Sequence, residues 1–107
     1  MRGIEGEELE GFRTAMLELC NPIDLGDVST IDMCGTGGDG KNTFNISTTS
    51  SFVVAASGVK VAKHGNYGVS SGVGSSNVIE YLGYNFKGEA AVLKSEIENT
   101  GITFFHA

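Results

Sequence analysis

Hydrophobic and polar positions follow a helical period in the first part of this chain. Between residues 6 and 20, apolar side chains recur every three or four residues, at Leu9, Phe12, Met16 and Leu19. Asn21 and Pro22 follow, and this pair is expected to end the helix. One amphipathic helix cannot bury its own apolar face, so we expect it to dock on another element.

Short apolar runs alternate with helix-like segments through the rest of the chain. The runs predict three strands, and the segments between them predict three helices. The strands are residues 30–34, 59–62 and 102–105, and the helices are residues 47–57, 75–82 and 87–99. The 47–57 helix is small and apolar nearly all round and should be buried, while Ser75 or Ser76 should cap the next helix. Strands that alternate with helices predict an α/β fold with a parallel sheet.

A polar connector at residues 23–30 separates the two patterns, so we divide the chain into a helical part (1–22) and an α/β part (23–107). The chain stops directly after the third predicted strand. A parallel sheet of three strands with a buried last strand is an incomplete architecture, and we therefore expect a fragment of a longer protein.

Composition excludes some classes of partner. A net charge of −6 disfavours general binding to nucleic acid or to an anionic membrane, because both need a basic surface. Cys20 and Cys34 have neither metal-type spacing nor the number needed for a disulfide framework, so we expect reduced thiols in the cytoplasm. No run of residues is apolar enough to span a bilayer.

Candidate chemistry is concentrated in two clusters. Four glycines lie between residues 35 and 40, after a predicted strand and before a predicted helix. Glycines let main-chain N–H groups approach an oxyanion closely, and the first turn of the helix adds unpaired donors. About twenty residues after the glycine-rich stretch comes Lys63-His64-Gly65-Asn66, followed by a loop of small residues at 67–76. We interpret the two clusters as parts of one phosphate-ester site.

Three motifs in this order make the sequence similar to anthranilate phosphoribosyltransferases. They are Cys34-Gly35-Thr36-Gly37-Gly38-Asp39, Asn45-Ile46-Ser47-Thr48 and Lys63-His64-Gly65-Asn66. The resemblance covers the whole chain but only about a third of such an enzyme. It implies an α/β parallel-sheet phosphoribosyltransferase domain, preceded by the end of a small helical N-terminal domain through which the full-length enzyme forms a homodimer.

The resemblance also implies a reaction. A phosphoribosyl group passes from phosphoribosyl pyrophosphate to anthranilate in tryptophan biosynthesis, with Mg²⁺ as cofactor, and this chain carries the donor-binding half of the site. Departing diphosphate accumulates negative charge, so rate should come from electrostatic groups aimed at that charge and from positioning of the aromatic amine. An aniline-type nitrogen is already neutral at pH 7, so no strong general base is needed.

Site residues are carried over motif by motif. The glycine loop is expected to line the diphosphate and ribose, the next helix to take phosphate oxygens, and Ser47 also to ligate magnesium. Lys63 is the candidate catalytic residue, and Asn66 with Gly35 is expected to face anthranilate. The complete set expected to bind the donor is Gly35, Gly38, Asp39, Thr43, Asn45, Ile46, Ser47, Thr48, Lys63, His64, Gly65, Asn66, Tyr67, Gly68, Val69, Ser70, Ser71 and Ser75.

Several of these residues have a purely structural alternative. Asp39 could cap a turn, Ser47 and Thr48 could be plain helix caps, and His64 could be a structural histidine. Two positions depart from the family pattern: Tyr67 replaces a usual basic residue, and Asn77 replaces a usual acidic one. The family's magnesium-binding acidic pair and its anthranilate-binding arginine would lie beyond Ala107.

Two other functions stay open at this point. One is a pyrimidine nucleoside phosphorylase-like enzyme, against which the glycine loop and residues 45–48 weigh. The other is a non-catalytic relative that binds nucleic acid, which the charge of −6 disfavours.

Overall fold

A computed structural model describes residues 3–35, 37, 43–68 and 72–107 of the chain. The elements, in chain order, are α1 (Gly6–Leu19), α2 (Ile46–Ala56), β1 (Val61–Gly65), α3 (Ser75–Tyr81), α4 (Ala90–Thr100) and β2 (Ile102–His106). β1 and β2 pair in parallel, with Val61 opposite Ile102. Two helices lie in the connection between these strands, as a parallel pair requires. The expected α/β class is confirmed.

The core lies at the strand pair, against which α4 and α2 pack. Leu93 and Ile97, one turn apart on α4, are completely buried, and Ile79 of α3 is nearly so. Val61 of β1 and Phe104 of β2 are also buried. Gly101, with φ of +79°, ends α4 and lets the chain turn directly into β2.

The first predicted strand, residues 30–34, is wrong as a strand. In the described chain it is reduced to a single parallel bridge between Ile31 and Val61. Ile31 donates its N–H to Lys60 and accepts from the N–H of Ala62. The next donor of β1, the N–H of His64, goes to the side chain of Asp32 instead of to a main-chain carbonyl. The ladder therefore ends after one bridge.

The expected burial of the 47–57 helix is also wrong. α2 exists, one residue displaced, but its buried residues are the polar Thr48 and Ser51, whereas Val53 is 66% exposed. Small side chains allow α2 to approach the strand pair closely. Ser51 meets its hydrogen-bonding requirement locally, because its hydroxyl donates to the carbonyl of Ser47 at 2.7 Å.

Other boundaries differ by a few residues. β1 begins at Val61, two residues later than predicted, and continues through Gly65. α3 has Gly74 at its N-cap, so the expected caps Ser75 and Ser76 lie inside the helix. α4 begins at Ala90, three residues late, and Lys87, which lies before it, pairs with Glu96 of the helix.

α1 has the predicted bounds to within one residue, but none of its residues is buried in the described chain. Its apolar side chains remain exposed, with Phe12 at 64% and Met16 at 72%. The expected docking of this helix is therefore not made within the described residues. No helix among those described is long and apolar enough to cross a membrane.

Candidate functional site

The N-terminus of α2 and the segment before the glycine loop lie against each other. A Cβ atom added to Gly35 would lie 3.1 Å from the hydroxyl oxygen of Ser47, a tight contact that would require the Ser47 side chain to shift slightly. Asn45 is the N-cap of α2 and makes no side-chain capping hydrogen bond. The first turn of α2 therefore keeps main-chain donors available for an anion.

Thr48, in that first turn, holds the one buried side-chain polar atom among the described residues that has no hydrogen-bond partner. The side chain is 2% exposed. A buried hydroxyl without a partner costs stability, typically about 1–3 kcal/mol, and its presence next to an uncapped helix start suggests a ligand atom as the missing partner. This observation goes beyond the structural alternative of a plain helix cap.

Lys63 lies in the middle of β1 and is only 2% exposed, so it is not a solvated surface lysine. Its ammonium Nζ donates to the carbonyl of His64 at 3.0 Å. Burial lowers the pKa of Lys63, while its electrostatic interactions with Cys34 and Asp32 act to raise it. Lys63 of the second motif therefore interacts electrostatically with Cys34, the residue at which the first motif begins.

Asp32 and His64 make the direct connection between the two motifs. One carboxylate oxygen of Asp32 accepts the main-chain N–H of His64 at 3.1 Å, and the other lies 2.9 Å from Nδ1 of its ring. The ring also stacks on Phe105, with centroids 4.9 Å apart. Sequence reasoning missed Asp32. The only signal was its place, two residues before the motif that begins at Cys34.

The far end of β1 meets the start of α3. A Cβ atom on Gly65 would collide with the hydroxyl of Ser75, and the N–H of Ser76 donates to the carbonyl of Asn66 at 3.2 Å. The end of the small-residue loop at Ser75 and Ser76 thereby lies against the Lys63-His64-Gly65-Asn66 motif. Asn66 itself is exposed, and its side-chain oxygen accepts the N–H of Tyr67.

The two departures from the family pattern take part in holding this loop. The hydroxyl of Tyr67 donates to Glu80 of α3 at 2.8 Å, and this hydrogen bond raises the pKa of Tyr67. The side-chain oxygen of Asn77 accepts from the N–H of Gly68 at 3.1 Å and of Gly74 at 2.9 Å. Asn77, in the first turn of α3, therefore joins the two described ends of the loop.

Besides Thr48, Asn66, Tyr67 and Gly68, which are described above, the predicted site residues divide into three groups. Contacts or electrostatic coupling join Gly35 to Ser47, Lys63 to His64 through its carbonyl, Gly65 to Ser75, and the two motifs through Asp32. Thr43, Asn45 and Ile46 lead into α2, and Ile46 and Thr43 are exposed. Outside the described residues lie Gly38, Asp39, Val69, Ser70 and Ser71.

A magnesium ion fits this residue set only if a bound ligand shares its coordination with the protein. Ser47 offers one hydroxyl oxygen, which is a ligand type that magnesium accepts. Within the described ranges, no group of three or more His, Cys, Asp or Glu side chains could hold a metal ion. Since Mg²⁺ commonly keeps waters and binds substrate phosphates, one protein oxygen is compatible with an ion carried mainly by a phosphorylated ligand.

Comparison with known proteins gives concordant matches. A family model described as "Glycosyl transferase family, a/b domain" matches residues 27–107. The anthranilate phosphoribosyltransferase of Christiangramia forsetii is 63% identical over 107 residues, which are 100% of this chain and 32% of that protein. The enzyme of the same name from Flavobacterium psychrophilum is 62% identical with the same coverage. The chain thus spans about a third of the length of these curated relatives.

Two solved structures are also similar. Anthranilate phosphoribosyltransferase from Thermus thermophilus superimposes with a TM-score of 0.82 at 39% identity, over 99% of this chain and 32% of that one. The enzyme from Saccharomyces cerevisiae, solved in complex with PRPP and Mg, gives a TM-score of 0.79 at 31% identity, over 94% of this chain and 28% of that one. The resemblance drawn from the three motifs is confirmed.

Proposed function

Because the chain belongs to the glycosyl transferase family, whose a/b domain model matches residues 27–107, we propose that it carries the donor-binding part of an anthranilate phosphoribosyltransferase. The complete enzyme transfers a phosphoribosyl group from phosphoribosyl pyrophosphate to anthranilate, giving N-(5-phosphoribosyl)anthranilate and diphosphate in tryptophan biosynthesis. One observation carries the proposal: Asp32 brings the strand end with Lys63 and His64 to the segment that leads into the glycine loop.

The first part of the mechanism is binding of the donor's phosphates. The uncapped first turn of α2 and the unpartnered hydroxyl of Thr48 supply donors for phosphate oxygens, and Gly35 lies close to Ser47 at the same helix start. Ser47 would hold a magnesium ion together with the donor, and the ion would supply charge that stabilises departing diphosphate. Gly38, Asp39 and residues 69–71 complete the donor site in this proposal.

The second part is departure of diphosphate from the ribose. Within the described residues, Lys63 has no carboxylate in direct ion-pair contact, and in this proposal its ammonium group stabilises the charge on departing diphosphate. The anthranilate nitrogen needs no deprotonation before attack, and Asn66 with Gly35 would position it. These residues raise the rate by electrostatic stabilisation and by orientation.

A chimera tests the activity. The 107 residues would replace the matching third of the Christiangramia forsetii enzyme, to which they are 63% identical. We expect the chimera to form phosphoribosyl-anthranilate from PRPP and anthranilate with Mg²⁺. Thymidine with phosphate is the parallel assay, and turnover of thymidine with none of anthranilate would favour the nucleoside phosphorylase alternative.

Calorimetry with the 107-residue chain tests the donor site directly. We expect PRPP to bind in the presence of Mg²⁺, and single-stranded DNA not to bind, given the charge of −6. Binding of DNA with no response to PRPP would contradict the proposal.

Two further parts of the proposal concern the whole protein. The exposed apolar face of α1 is consistent with a homodimer formed through the helical domain, which sedimentation of the chimera would check. Cys20 and Cys34 are both free and exposed in the described chain, and we place the enzyme in the cytoplasm, where such thiols stay reduced.

A further inference from the structure

Asp32 replaces a main-chain acceptor at the point where the sheet ladder ends. Ile31 exchanges two hydrogen bonds with β1, through the carbonyl of Lys60 and the N–H of Ala62. In a continuing parallel ladder, the N–H of His64 would go to a carbonyl two residues beyond Ile31. Here the carboxylate of Asp32 takes that N–H, and the main chain beyond it leaves the sheet toward Gly35.

The second oxygen of the same carboxylate meets the ring of His64, at 2.9 Å from Nδ1. An ionised carboxylate can only accept hydrogen bonds, so Nδ1 must carry a proton. In the neutral ring the other nitrogen, Nε2, is then a bare acceptor. The Phe105 ring stacks on one face of the imidazole, which limits its rotation.

We propose that Asp32 is a positioning residue: it fixes His64 as the Nδ1–H tautomer, so that Nε2 accepts a hydrogen bond from a hydroxyl or amine group of a bound substrate. The ring is accessible for this, since the His64 side chain is 51% exposed. Phosphate oxygens of an ionised donor are acceptors only, so this tautomer selects other groups. The second half of the inference rests on the proposed function, in which the ribose supplies hydroxyls and anthranilate supplies an amine.

The tautomer can be measured on the 107-residue chain by ¹⁵N NMR of the histidine rings at about pH 8, above the ordinary histidine pKa. The chain has two histidines, so a His106→Gln variant assigns the signals. We expect Nδ1 of His64 to show the shift of a protonated nitrogen and Nε2 that of a bare one. A His64 ring protonated only on Nε2, or on both nitrogens at this pH, would overturn the proposal.

Asp32→Asn should invert the tautomer. The amide oxygen can keep the main-chain N–H of His64, which places the amide NH₂ against Nδ1 and requires the proton to move to Nε2. Asp27→Asn, five positions earlier in the same connecting segment, is the matched control and should leave the His64 signals unchanged. An unchanged tautomer in a folded Asp32→Asn chain would contradict the assignment.

Separate titrations with two ligands identify which substrate donates the hydrogen bond to Nε2 of His64. PRPP with Mg²⁺ and anthranilate are added separately to the ¹⁵N-labelled chimera, and the ligand that donates to Nε2 should move its resonance. If the protein is saturated with each ligand and the Nε2 resonance of His64 does not move, the proposed contact between His64 and substrate would be overturned. Failure of both ligands to bind would instead count against the proposed function, while the tautomer measurement would still decide the pairing of Asp32 and His64.

Kinetics separate positioning from a merely structural role. In an active chimera, Asp32→Asn should lower kcat/KM for the substrate that donates to Nε2 by about ten-fold, with the other substrate little affected. A His64→Ala variant should show a similar loss, and the double variant should lose little more, because the two residues act as a unit. Equal losses for both substrates, or additive losses in the double variant, would contradict the proposal.

Discussion

At the scale of single residues, the most informative position is a lysine kept inside a strand. Lys63 is 2% exposed and has one described hydrogen-bond acceptor, the carbonyl of His64. A buried ammonium with so few partners is unfavourable for folding, and an apolar side chain of similar length would cost less. Its presence therefore indicates a role in binding or catalysis more than in stability.

The variant Lys63→Met tests whether Lys63 serves binding or catalysis more than stability. Burial lowers the pKa of Lys63, so the folded chain resists the charged form, and the variant should be at least as stable as the parent at pH 7. In the active chimera, turnover should fall about 100-fold, the scale of one lost electrostatic partner, while anthranilate affinity changes much less. Thermal denaturation and steady-state kinetics with each substrate varied provide the measurements.

Lys60→Met is the matched control for this variant, because Lys60 lies just before the same strand and is only partly buried. It should change neither turnover nor stability appreciably. Near-normal turnover of Lys63→Met, or a loss confined to anthranilate binding, would mean that Lys63 has another role.

Two neighbouring glycines allow a second residue-scale test. A Cβ on Gly74 would collide with the main chain of Asn66, Tyr67 and Gly68, whereas a Cβ on Gly72 would meet nothing within 4 Å. Gly74→Ala should therefore force the loop ends apart, costing about 1–3 kcal/mol in stability and weakening PRPP binding. Gly72→Ala should be close to neutral. Denaturant titration and calorimetry decide, and equal effects of the two changes would contradict the observed loop closure.

At the scale of elements, one carboxylate joins α4 to β2. Glu96 of α4 accepts hydrogen bonds from Lys87, from Tyr84 at 2.7 Å and from Thr103 of β2 at 2.5 Å. Burial acts to raise the pKa of Glu96, but the hydrogen bonds from Lys87, Thr103 and Tyr84 together outweigh it and hold the pKa below its ordinary value. The cluster fixes the helix over the second strand of the pair.

The direction of this pKa shift predicts an acid dependence. A carboxylate with a lowered pKa in the folded state contributes stability that is present above its unfolded pKa, about 4.5, and lost as pH falls through the folded value. Glu96→Gln should reduce stability by about 1–2 kcal/mol at pH 7 and flatten the fall in stability below about pH 4.5. Glu98→Gln, on the same helix, is the control and should leave the fall in stability at acid pH steep. Urea titrations across pH provide the measurement. A Glu96→Gln profile identical to that of the parent chain would contradict this role of the cluster.

The helices were largely predictable from the sequence because their signals are local. Gly58, Gly83 and Gly101 have positive φ and follow α2, α3 and α4, where glycine commonly ends a helix. The strand at residues 30–34 failed because its pairing ends through a long-range side-chain contact, which no local pattern contains. The burial of α2 failed for a similar reason, since which face packs is decided by distant strands.

The candidate site was predictable to a smaller extent. The three motifs named its residues through resemblance to a family, and the structure joins Gly35 to Ser47 and Gly65 to Ser75. The contact between the motifs depends on Asp32, and the loop closure depends on Asn77. Neither role can be read from residue type alone, because each follows from where the folded chain places a single side-chain oxygen.

At the scale of the whole molecule, the chain has a packed part and an exposed helix. Among the described residues, the buried apolar ones all lie between Val61 and Phe104, and α1 contributes none. The proposed division at residue 22 fits this distribution and stays a prediction. Apolar side chains exposed along a helix are typical of surfaces that meet another element or another chain.

Hydrogen exchange tests this division on the intact chain. Amides of α1 should exchange by local opening, at rates far above those of β1, β2 and α4, since the described structure gives α1 no buried side chains to protect it. Mass spectrometry of peptic fragments gives the comparison within one sample. Protection of α1 equal to that of α4 would show that the helix is held by contacts that the described chain does not make.

The hydrogen bond between Asp32 and His64 also has a consequence for how the chain folds. It closes a loop across a sequence separation of 32 residues, with the whole of α2 inside it. Closing a flexible loop of that length costs about 3 kcal/mol of chain entropy, which no contact within either motif can offset alone. Parallel pairing of β1 with β2 is likewise non-local and forms slowly compared with helices. Donor affinity should therefore appear only with complete folding, so that in a refolding experiment PRPP binding reports the last step, after helical circular dichroism has recovered.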